Sequence, residues 1–144
     1  MLFRSPPRDD RAAAAWLYRL LDLLRPRAKR LPDLVEQARP FLSDTVEFEP
    51  GAMEKHVSAE IGDHVAALVA ALRDLTPFDE PHVEKVVRGT AEGRGIKGGA
   101  LIHAVRVGIT GRTASPGIFE SLVLLGPARS LLRLERLLSL VRAR

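Results

Sequence analysis

The chain has 144 residues, 46% hydrophobic and 28% charged, which allows one compact domain or two small subdomains around a buried core and argues against disorder. It holds no cysteine, so a disulfide framework and a thiolate metal site are both excluded, and a reducing compartment fits. With 22 Lys and Arg against 18 Asp and Glu, its formal charge is +4 and its sequence pI about 10.1, a balance that suits a nucleic-acid partner without requiring one.

Nearly every periodic stretch has helical spacing, and none alternates with period two, so the expected fold is all-α: a compact helical bundle of about seven to eight helices in two small subdomains, residues 1–76 and 77–144. The opening MLFRSPPRDD lacks the apolar centre of a secretory signal. The longest apolar runs, such as AALVAAL at 66–72, fall far short of the ~20 residues that span a bilayer. A soluble, cytoplasmic chain with no membrane partner is expected.

A first helix is predicted from about Arg11 to Arg25, with Trp16, Leu20, Leu23 and Leu24 on its apolar stripe and Pro26 ending it. A second starts near Pro32 and turns Leu34, Val35, Ala38 and Phe41 inward. The acidic stretch SDTVEFEPG reads as a loop. Ser58 is a credible amino cap for a third helix that buries Ile61, Val65, Leu68, Val69 and Leu72 and ends before Thr76-Pro77. Asp79 can cap the next helix, with Pro81 in its first turn and Gly93 as its carboxyl cap. Residues 99–109 form an apolar helix stopped by Thr110-Gly111. Ser115 is then expected to cap a helix over IFESLVLLG that closes at Gly126. Pro127 opens the last helix, whose Leu131, Leu134, Leu138 and Val141 should face the core with Arg129, Arg133 and Arg136 outside.

Catalytic and cofactor signatures are scarce. Gly93-x-Gly95-x-x-Gly98 has the spacing of a dinucleotide-binding loop, but a helical pattern precedes it where a strand is needed, and TGRTASPGI supplies no acidic group for a ribose. The four histidines, His56, His64, His82 and His103, never stand at metal-ligand spacing from one another. Glu60 and His64 share a helix face, but two ligands seldom hold zinc, and an ion pair is the expected relation. No nucleophile elbow and no phosphate loop is present, and Glu120 reads as a surface residue or a partner for Arg112. The residues by themselves describe a basic helical binding module without cofactor, metal or catalytic group.

Two stretches carry more than this. IHAVRVGITGRTASPGIFESLVLLGPARSLLRLERLL closely resembles the carboxyl-terminal end of bacterial glutamyl-tRNA synthetases, where a Leu-Arg-Val-Ala-Leu-Thr-Gly-Arg-Thr-x-Ser-Pro-Gly-Leu-Phe-Glu pattern precedes a final helix. Upstream, RPRAKRLPDLVEQARPFLSD is similar to the family's Arg-Ala-Lys-Thr-Leu-x-Glu-Leu segment and the turn after it. The resemblance covers most of the chain from about residue 15. It implies the non-catalytic anticodon-binding region of such an enzyme, excised or free-standing, that binds tRNA for glutamate. The family's His-Ile-Gly-His-like and Lys-Met-Ser-Lys-Ser-like ATP-binding motifs have no counterpart in these residues, so a catalytic synthetase portion would be a partner. DNA is not an expected partner. A second expectation is a scaffold of the same shape that docks a synthetase or a tRNA-dependent amidotransferase.

By position in the family's pattern, Arg106 is expected to address the central or last anticodon base, with Arg88 as a second arginine on the neighbouring helix. Ser115, Pro116 and Ile118 match the turn that packs on a splayed base. Arg27 falls near the family's discriminator for the first anticodon base, with Lys29 as the alternative register; Lys97 and Arg112 complete the expected RNA-binding set. Two departures stand out: Ala104 where the family often has proline, and Gly108 where it has alanine. The glycine costs up to ~1 kcal/mol of helix stability and is expected to loosen the helix that presents Arg106.

Overall fold

The computed structural model describes residues 10–143; residues 1–9, which include most of the segment read above as lacking a signal, and residue 144 lie outside the described residues. Eight helices and no strand occur among the described residues. The chain separates into two compact units that divide after Thr45. The boundary expected near residue 76 falls between two helices of the second unit that pack on each other.

The first unit contains α1 (Asp10–Leu24) and α2 (Leu31–Leu42), packed against each other. Leu20 and Leu24, one turn apart, are fully buried, as is Phe41. Pro32 lies in the first turn of α2, where its missing N–H costs nothing. The expectation for Val35 does not hold: it is 56% exposed, because the face of α2 that buries Ala38 and Phe41 turns away from it.

The second unit holds α3 (Ala52–His56), α4 (Ala59–Arg73), α5 (Glu80–Gly93), α6 (Gly98–Thr110), α7 (Ile118–Leu125) and α8 (Pro127–Arg142). Its core is ordinary helical arithmetic. Val65, Leu68, Val69 and Leu72 make the buried stripe of α4, and Val83, Val87 and Ala91 that of α5. The two expected caps are in place: Ile61 N–H donates to Ser58 Oγ at 3.1 Å, and His82 N–H donates to Asp79 Oδ1 at 3.0 Å. The helix missed in the sequence is α3, five residues between the acidic loop and the Ser58 cap. Gly51, at φ +79°, turns the chain into it.

Helix α6 is packed by α3, α4, α5, α7 and α8, which is why it is apolar almost all round. His103 and Arg106, three residues apart, are the polar groups of its accessible stripe. Its end is fixed three ways. Thr110 Oγ1 donates to the Arg106 carbonyl at 2.7 Å and accepts the Arg112 N–H at 3.2 Å. Arg133 of α8 donates from Nη1 to the Ile109 carbonyl at 2.6 Å, so this arginine is buried at 6% exposure, against the outward position expected of it. A free carbonyl at a helix carboxyl end attracts a cation strongly enough to draw the guanidinium inward. Gly111 takes a left-handed φ of +75° with its carbonyl accepting from Glu49 N–H at 2.8 Å, and any Cβ there would overlap the Glu47 carbonyl oxygen.

A Cβ at Gly108 would stand 2.9 Å from Leu137 Cδ2 and 3.0 Å from Leu134 Cδ2, so the missing side chain leaves room for two leucines of α8 against α6. Leu137 is fully buried, and Leu131 is only half-buried.

Candidate functional site

The glycine-rich segment joins two helices. Helix α5 runs through Gly93 and ends at Arg94; the left-handed residue is Gly95, at φ +69°, so the cap expected at Gly93 sits two residues later. Lys97, exposed, stands at the amino cap of α6. Arg94 Nε donates to His64 Nδ1 at 2.7 Å, which gives His64 an arginine partner in place of the acidic one expected. No group of three potential metal ligands occurs among the described residues.

Around the amino end of α7 the expected residues come together. Arg106 Nε donates to Ser115 Oγ at 3.0 Å, and the same hydroxyl donates to the Pro116 carbonyl at 2.8 Å. These bonds correct the expectation that Ser115 caps α7: its oxygen is already engaged, Gly117 occupies the cap position, and the helix opens at Ile118. Arg88 reaches the same end of α7 from α5. Its guanidinium lies 5.3 Å from the centre of the Phe119 ring, Nε bonds Glu84 Oε2 at 3.1 Å, and Nη1 stands 4.0 Å from where a Gly98 Cβ would be. Arg88 is exposed and Arg106 half-buried. Pro116 and Ile118 are buried, Ile118 at 2% exposure; they support the turn from beneath, and their side chains are not available to a base.

The turn itself is anchored from below by the acidic stretch. Glu49 Oε2 accepts from both the N–H and the hydroxyl of Thr113, at 3.2 and 3.0 Å, while the Arg112 side chain is half-buried in the same loop. Glu120 folds its carboxylate back over Gly117, within 2.8 Å of where a Cβ would be.

Sequence reasoning missed three participants. Phe119 escaped because a phenylalanine in an apolar helix reads as core. His56 and His103, 47 positions apart, stack with ring centres 4.8 Å apart and planes 18° apart, and His103 Nδ1 lies 3.1 Å from Arg106 Nη1. The His56 ring titrates below its ordinary value of 6.5, first because of burial and then because His103, Lys55 and Arg106 bring positive charge near it. No local spacing signals such a pair.

In the first unit, Arg27 and Lys29 lie on the turn between α1 and α2, both exposed. The Arg27 carbonyl accepts from Gln37 Nε2 at 3.3 Å. Lys29, with Arg25, Arg30, Leu21, Ala28, Leu31 and Leu34, lines a pocket of about 370 Å³.

A profile of the anticodon binding domain family matches residues 3–138. Glutamate-tRNA ligase 2 of Caldicellulosiruptor saccharolyticus is 36% identical over 116 residues, 81% of this chain and 24% of that protein. The glutamate-tRNA ligase of Roseiflexus castenholzii is 36% identical over 146 residues, 99% of this chain and 28% of the relative. Among solved structures, a glutamate tRNA ligase from Elizabethkingia meningosepticum superposes with a TM-score of 0.79 over 94% of this chain and 26% of its own, at 18% identity, which establishes a shared fold. The chain thus spans about a quarter of the length of the curated relatives it matches.

Proposed function

Because this chain belongs to the anticodon binding domain family, as the carboxyl-terminal anticodon-binding region of glutamate-tRNA ligases, we propose that it binds tRNA for glutamate through the anticodon and contributes recognition without chemistry of its own. What supports this reading is that two arginines each touch the segment that opens α7, Arg106 bonded to Ser115 and Arg88 over the Phe119 ring. Anticodon bases are unstacked, so their edges and faces are open to a guanidinium fork and an aromatic ring, while nearby cations hold phosphates. Arg106, fixed at Nε, is suited to reading a base edge. Arg88 and Phe119 together offer a cationic and apolar surface on which a base can stack. Lys97 and Arg112 are the phosphate contacts of this reading, and Arg27 with Lys29 adds cationic attraction for the tRNA. Pro116 and Ile118 act only as supports.

The relatives' ligase activity would require their remaining three quarters, and in a cell this module would work in the cytoplasm. A protein-docking scaffold finds no support in the comparisons and is set aside. Binding of tRNA for glutamate should be saturable and should weaken steeply with salt, since phosphate contacts release counterions. Exchanging only the three anticodon nucleotides should reduce affinity at least tenfold, about the ~1.4 kcal/mol that one good base contact supplies. Equal affinity for the two tRNAs would refute the reading.

A further inference from the structure

Arg106 is anchored from two directions, and only one anchor belongs to the family signature quoted above. Ser115 holds Nε; His103, one turn back on α6, faces Nη1 at 3.1 Å. Arginine has only donors, so Nη1 can bond this imidazole only if Nδ1 carries no proton and the ring proton sits on Nε2. His103 is itself exposed, and a free surface imidazole would sample several rotamers. Here the His56 ring lies against it, and His56 belongs to α3, which packs on α6. The short helix that the sequence concealed thus has a visible consequence: it delivers a flat ring that steadies the neighbour of Arg106.

Resting on the anticodon reading above, we propose that His103, oriented by the stacked His56, is a positioning residue that aims the Arg106 guanidinium at the base it reads, its Nδ1 accepting from Nη1.

Bare affinity is the wrong readout, because positive charge favours any RNA. The ratio of affinities for tRNA for glutamate and the same tRNA with an exchanged anticodon cancels that common term. His103→Phe keeps a ring to stack but has no acceptor, and its ratio at pH 7.5 should lie about fivefold to tenfold below that of wild type, the size expected for losing one charge-assisted hydrogen bond. His103→Asn places an amide oxygen near the site of Nδ1 and should recover most of what His103→Phe loses.

In the free protein, the Arg106 Nε–H resonance should be sharp in wild type and His103→Asn at pH 7.5 and broadened in His103→Phe, which tests the anchor without RNA. A wild-type ratio well above one with a His103→Phe ratio equal to it overturns the positioning role and leaves anticodon binding standing. A wild-type ratio of one at pH 7.5 overturns both.

Discussion

The two candidate RNA-facing regions are built in opposite ways. At the amino end of α7, each cation has a fixed place: Arg106 on Ser115 and His103, Arg88 on Glu84 and Phe119, with a turn below them bonded to Glu49. At the α1–α2 turn, Arg25, Arg27, Lys29 and Arg30 are exposed. Arg25 and Arg30 meet Asp22 and Asp33 only in solvated pairs, at 3.4 and 3.9 Å. Pairs of that kind contribute little, typically ~0–1 kcal/mol. Fixed cations can discriminate, since their direction is set before a ligand arrives; solvated ones attract and then adapt. On the proposed reading the first region acts as the specific reader, and the second supplies attraction and a contact that orders on binding.

This contrast can be broken most severely at its foundation. Gly111→Val puts a branched side chain at a left-handed φ and into the Glu47 carbonyl, and should destabilise the second unit by at least ~3 kcal/mol, seen as a lower urea midpoint. A midpoint within error of wild type would mean the α6–α7 turn is not held as described. Next in size, Arg133→Met removes the donor to the Ile109 carbonyl while keeping an apolar stem, and should cost ~1.5–3 kcal/mol in the same assay. Smaller still is the comparison itself. Arg106→Ala should lower the anticodon preference about tenfold, whereas Arg27→Ala should weaken all tRNAs similarly and reduce the salt slope by about one.

A pH effect on stability belongs near the bottom of this scale. His56 binds its proton less readily in the fold than in the unfolded chain, where the ordinary value is 6.5. The unfolded state then takes up more protons as the pH drops. The stability this group contributes is fully present above about that value and declines below it. The urea midpoint should fall between pH 7.5 and 5.5, and less so in His56→Gln; an identical decline in the variant would assign the effect to other groups.

What could be read from the sequence follows from how far apart the cooperating residues lie. Ser58, Asp79 and Gly126 announce helix ends through bonds and dihedral angles within a few residues, and all three stand where expected. The apolar stripes of α4 and α5 are equally local. Failures cluster where distant segments decide the outcome. Arg133 reads as an outer-face charge until the carbonyl of Ile109 is brought to it, and Gly108 reads as a weak point until Leu134 and Leu137 occupy the space it leaves. Ser115 has the look of a cap, yet Arg106 claims its hydroxyl. Helix α3 is too short to show a period, and the His56–His103 stack depends on it. Of the expected residues, Arg106 bonds Ser115 and Arg88 lies over Phe119, while the apolar Pro116 and Ile118 are buried.

Chemical probing of the tRNA anticodon loop in complex with this chain tests the central claim most directly. The account predicts protection concentrated on the three anticodon nucleotides with wild-type protein, lost from one of them in Arg106→Ala although the complex still forms at low salt. Protection spread evenly over the tRNA backbone, and unaltered by that substitution, would contradict it.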